Sequence, residues 1–115
     1  GPFDGTSSWG DSYIRMSTTG TVSDSFTPFN QAALDSANHD LGSGGAMLLP
    51  DQSGAHPHEM VSSGKDGTIY LVDRDNMGKF NSTKNNNVQT LPNIFPQFPM
   101  PPQGPTTQVP GQPPR

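Results

Sequence analysis

Apolar residues recur with a period near two, rather than 3.6, through residues 1–91, which predicts short strands instead of amphipathic helices. Ser12-Tyr13-Ile14-Arg15-Met16-Ser17 alternates, placing Ile14 and Met16 on one face and Tyr13 and Arg15 on the other. Thr18-Thr19-Gly20-Thr21 reads as a turn, and Val22 opens a short returning strand. Ala46-Met47-Leu48-Leu49 has the character of a short buried strand stopped by Pro50-Asp51. Residues 59–63 and 68–73 form the next two strands, joined by the hairpin loop Gly64-Lys65-Asp66-Gly67. Thr68-Ile69-Tyr70-Leu71-Val72-Asp73 is the richest in β-branched and aromatic residues. A turn over Arg74-Asp75-Asn76-Met77-Gly78 then leads to Lys79-Phe80-Asn81. Only residues 31–38 read as helical, behind Asn30 as N-cap. The pattern predicts a mainly β chain, an antiparallel meander of short strands.

Proline divides this picture in two. Residues 92–115 hold nine of the 13 prolines, and the first 91 residues hold the other four. Proline lacks a backbone donor and disfavours helix in its predecessor, so 92–115 is expected to be an irregular or polyproline II tail. The 115 residues suffice for one small domain. Hydrophobic residues make up only 29% of the chain, which is lean for a closed core. Four or five short strands also leave a sheet face and two edges open. The chain is therefore expected to be part of a larger β-structure, or a homo-oligomer that completes one.

Charge and cysteine content remove several classes. Six Lys and Arg against ten Asp and Glu give a net charge of −4, and the cations are scattered, so no patch neutralises several phosphates of a nucleic acid. No apolar run approaches the roughly 20 residues of a membrane-spanning helix. The absence of cysteine excludes disulfides, thiolate metal sites and Cys nucleophiles. No leader is visible, and a Gly1-Pro2 start has the form of a protease-cleavage scar.

Gly64-Lys65-Asp66-Gly67-Thr68-Ile69-Tyr70-Leu71-Val72-Asp73-Arg74-Asp75-Asn76-Met77-Gly78-Lys79-Phe80 resembles the repeat of PQQ-like (quinoprotein-type) β-propellers. That repeat combines a Gly/Asp turn, an aromatic-containing strand ending in Asp, a Gly-Lys turn and then Trp. Phe80 stands at the Trp position. Gly67 suits the tight hairpin, and Gly78 suits a positive φ. Residues 40–49 look like the inner strand opening a blade, and residues 12–22 like the closing part of the preceding one. The resemblance spans about one and a half blades, where propellers close with roughly four to eight. It implies an extracytoplasmic location, periplasmic or secreted. Quinoprotein dehydrogenases hold PQQ and Ca²⁺ on the propeller axis, whereas many members of the repeat family are non-enzymatic scaffolds. The expected function is a non-catalytic binding or assembly module that self-associates, or takes a small-molecule or glycan ligand, through loops at strand ends. The alternative is an enzyme, either a quinone- and Ca-dependent dehydrogenase fragment or a small metal-dependent hydrolase.

The hydrolase alternative rests on His56-Pro57-His58-Glu59, the one dense cluster of metal-ligating residue types. In an extended segment His56 and His58 share a face, which suits a divalent metal, with Glu59 adjacent and His39-Asp40 as further donors. The competing reading is a polar loop entering a strand. Asp73-Arg74-Asp75-Asn76-Met77-Gly78 begins like a calcium loop but places Met77 at position 5 and Lys84 at position 12, so an inter-strand turn fits better. Gly42-Ser43-Gly44-Gly45 lacks the lysine of a phosphate loop and reads as a flexible strand entry. Asn81-Ser82-Thr83 is a glycosylation sequon, and Pro110-Gly111-Gln112-Pro113-Pro114-Arg115 fits a groove-binding Pro-rich ligand.

Overall fold

A computed structural model describes residues 1–94, which form a mainly β structure of two sheets. The first sheet contains β1 (Tyr13–Met16), β2 (Val22–Thr27) and β6 (Lys79–Phe80) in the order β1-β2-β6. The second is built from β3 (Ala46–Leu48), β4 (Glu59–Ser63), β5 (Ile69–Asp73) and β7 (Gln89–Leu91), in the order β3-β4-β5-β7. Every pair in the second sheet is antiparallel. A short helix, α1 (Gln31–Ser36), and a 3-10 turn at Leu41–Gly44 link the two. The Pro-rich tail from residue 95 onward, with its Pro-x-x-Pro-x-Arg motif, lies outside the described residues.

The sheets meet through an aromatic trio. Tyr13 of β1 pairs in register with Phe26 of β2, and their rings stack with centroids 6.4 Å apart. Tyr70 of β5 reaches across from the second sheet, 5.5 Å from Phe26 and 6.4 Å from Tyr13. Leu41, Met60, Val72 and Met77 complete this core. Burying a ring such as Phe26 contributes about 2–3 kcal/mol, so the trio is a major link between the sheets. The Tyr13 hydroxyl donates to Ser62 Oγ at 2.6 Å, and Ser62 donates onward to the Gly45 carbonyl at 2.5 Å. A polar atom inside the core is thereby satisfied across both sheets.

Tyr13, and not the Ile14–Met16 face, turns inward: Ile14 is 40% and Met16 53% exposed. Of β1 only Tyr13 is buried, because its aromatic ring buries much surface and its hydroxyl finds Ser62, while Arg15 on the same face stays exposed. The returning strand is also longer than Val22 alone implied. Asp24, Ser25, Phe26 and Thr27 are all buried although three of them are polar. Thr27 shares a 2.8 Å hydroxyl hydrogen bond with Ser12, and Asp24 is satisfied by groups far along the chain.

The expected meander is broken at one place. β6 leaves the second sheet and pairs parallel with β2, Phe26 opposite Lys79 and Thr27 opposite Phe80. A parallel pair needs a long crossover, here supplied by α1 and three strands of the second sheet. Phe80 consequently packs against Phe3, ring centroids 5.2 Å apart, and Phe3 in turn meets Trp9 at 6.2 Å. The helix ends at Ser36 instead of residue 38, and Asn30 makes no side-chain cap hydrogen bond. The glycine run at 42–45 is mostly a 3-10 turn, not a flexible strand entry. Gly67 and Gly78 do adopt positive φ, +84° and +103°.

Candidate functional site

The β4–β5 ladder runs one step past both strands, because the Arg74 N–H donates to the His58 carbonyl at 2.8 Å. Beyond it the chain turns over Asp73, whose Oδ1 accepts the Asp75 N–H at 2.8 Å. On the other side, the Leu49 N–H continues the β3–β4 ladder to the Glu59 carbonyl. These extensions bring the ends of β3, β4 and β5 together opposite β1. Between them lies a cleft of about 480 Å³, within the ordinary size of small-ligand pockets. Ile14, Leu48, Met60 and Met77 give it apolar walls. Arg15, His58, Arg74 and Asp75 supply its polar groups.

The turn that shapes the cleft is anchored to the first sheet by Asp24. Its Oδ2 accepts the Met77 N–H at 2.9 Å, and its Oδ1 accepts from Ser25 N–H at 2.8 Å and Lys79 Nζ at 3.0 Å. Burial pushes the Asp24 carboxyl pKa up, but these donors outweigh it and hold the group below its ordinary value. Arg15 braces the same turn, donating through Nη1 to the Arg74 carbonyl at 2.7 Å and through Nε to Ser23 Oγ at 3.1 Å.

The two histidines of the 56–59 segment face separate carboxylates. His56 Nδ1 lies 2.7 Å from Asp73 Oδ2, and His58 Nδ1 lies 2.6 Å from Asp75 Oδ2. The hydrogen bond to Asp75 and its charge raise the His58 pKa above the ordinary 6.5. The His56 hydrogen bond, together with the Asp75 N–H, holds Asp73 below the usual carboxylate range. Asp51 stands 3.9 Å from His58 Nε2.

His56, His58 and Glu59 do not converge on a common point. Glu59 is buried in β4 opposite Asp73, while each imidazole is turned to its own Asp. Among the described residues no group of three or more His, Cys, Asp or Glu is placed to hold a metal ion, and this includes His39 and Asp40. The same holds for Asp73 and Asp75, whose carboxylates serve the turn and the histidines. Asn81 Oδ1 accepts both the Thr83 N–H at 2.9 Å and its hydroxyl at 2.7 Å, folding the sequon into an Asx turn.

The cleft itself went unforeseen, because its residues come from four separate stretches and share no local motif. The nearest signal was Arg74, a cation at the end of the most apolar strand. Comparison with protein-family models, with curated proteins and with solved structures finds no match.

Proposed function

We propose that the chain is a non-catalytic binding and assembly module of the β-propeller type, which associates with further copies of itself to cover its second sheet. The observation that carries this reading is that the second sheet presents apolar side chains on both faces, the outer ones bordered by Glu59, Asp73, Ser63 and Gln89. One face, with Met60, Tyr70 and Val72, is packed on the first sheet. On the other, Met47, Val61 and Leu71 stand opposite one another across three strands. Ile69 and Leu91, also paired in register, extend the row. Directly opposite residues on neighbouring strands share a face, so these side chains form one continuous patch. Met47 is 61% exposed and Leu91 37%, with Val61, Ile69 and Leu71 half-buried.

A sheet buried on one face normally carries polar residues on the other. Apolar side chains on both faces are what a blade needs when it stands between two neighbours. The four-stranded antiparallel order β3-β4-β5-β7, lying beside the hairpin β1-β2, supports the same reading. The partner of choice is a second copy, because each copy carries both the open patch and the exposed Ile14 and Met16 of β1. A head-to-tail contact of that kind builds rings when its rotation closes. By the resemblance of residues 64–80 the module works outside the cytoplasm.

Val61→Lys, in the centre of the patch, tests the reading. The expected result is a folded chain whose light-scattering mass falls to that of one copy. An unchanged associated mass in the variant contradicts the proposed face.

A further inference from the structure

We infer that the cleft between the two sheets is a binding site for a small organic carboxylate with an apolar body. The inference rests on unspent charge in an apolar place. The chain as a whole is acidic, at −4, yet Arg15, Arg74 and His58 meet in one cleft against Asp75, with Asp51 at the edge of His58. Asp75 is already engaged by His58 at 2.6 Å. Neither guanidinium forms a salt bridge with a described carboxylate.

Arg74 is the decisive residue. Its side chain is half-buried, and its Nε is buried with no hydrogen-bond partner. Partly desolvating a guanidinium without an anion is unfavourable, and a buried polar atom left without a partner calls for an explanation such as a bound ion. The planar fork of Arg matches a carboxylate, and the adjoining Arg15 holds the Arg74 backbone through its carbonyl. Ile14, Leu48, Met60 and Met77 offer nothing to a bare inorganic anion. They suit a hydrocarbon or aromatic body beside the charged head, and about 480 Å³ accommodates one. Every lining residue belongs to one chain, so the site needs no second copy to complete it, and only Ile14 is shared with the face proposed for self-association.

Octanoate, octanol and inorganic phosphate separate the contributions of head and body. Titrated into the native chain and followed by amide chemical shifts, octanoate is expected to move Met60, Arg74 and Met77 saturably. Octanol and phosphate are each expected to bind at least tenfold more weakly. Arg74→Met is expected to lose octanoate at least tenfold while keeping or raising the melting temperature, because the unpaired charge is removed. Leu48→Glu, at a position that is 61% exposed, is expected to lose octanoate as well. Equal binding of octanol, equal binding of phosphate, no saturable shift with octanoate, or undiminished binding in both variants overturns the inference.

Discussion

Asp24 accepts the backbone N–H of Met77 at 2.9 Å across 53 residues of sequence, and this contact ties the first sheet to the turn that walls the cleft. The same carboxylate binds Lys79 at 3.0 Å. The two partners are not equal in weight. Lys79 is 69% exposed, so its ion pair is screened by solvent, whereas Met77 is buried and Asp24 is the acceptor of its N–H among the described residues. Asp24→Ala is expected to destabilise the protein by about 2–3 kcal/mol, and Lys79→Met by less than about 1 kcal/mol. Urea denaturation of the two variants checks the ranking.

The Tyr13–Ser62 hydrogen bond joins the sheets at the core. Tyr13→Phe keeps the ring stack on Phe26 and removes only the hydroxyl, for an expected loss of about 1 kcal/mol. Tyr13→Ala also removes the ring, and the expected loss rises to about 3–5 kcal/mol. Thermal unfolding separates the two.

Gly78 and Gly20 both have positive φ, +103° and +86°, but they differ in surroundings. A Cβ at Gly78 meets the Asn86 carbonyl oxygen at 2.5 Å, whereas one at Gly20 meets nothing within 4 Å. Gly20→Ala is expected to cost about 1 kcal/mol, from backbone conformation alone. Gly78→Ala adds a collision between backbones and is expected to cost at least about 2 kcal/mol. Chemical denaturation of both variants is the check.

The His58–Asp75 pair sets a pH dependence with a definite sign. His58 has its folded pKa raised above 6.5, so its contribution to stability is fully present below 6.5 and fades as pH rises through the folded pKa. Asp73 acts in the opposite direction. Its pKa is lowered, so its contribution is present above 3.8 and is lost as pH falls through the folded value. A proton NMR titration is expected to show His58 titrating above 6.5, and Asp75→Asn is expected to bring it back toward that value.

The central strands β4 and β5 of the second sheet are legible in the sequence because they carry their own signals. Thr68 to Asp73 is β-branched and aromatic, and Gly64 to Gly67 closes the hairpin. β2 was half hidden, since Val22-Ser23-Asp24-Ser25-Phe26-Thr27 looks polar until Ser12, Met77 and Lys79 are known to satisfy it. β6 and β7 were obscured by their shortness, and β6 by a parallel pairing that no local pattern encodes. His56 and His58 are neighbours in sequence, but each ring faces its own carboxylate. Spacing alone did not show that Asp73 and Asp75 would each claim one ring.

The central claim is that the outer face of the second sheet, with Met47, Val61 and Leu71, is covered by another copy of the chain. Multi-angle light scattering of the native protein across a concentration series tests it most directly. The account predicts a mass of two or more chains that dissociates on dilution. A mass of one chain at every concentration, with the fold intact, contradicts it.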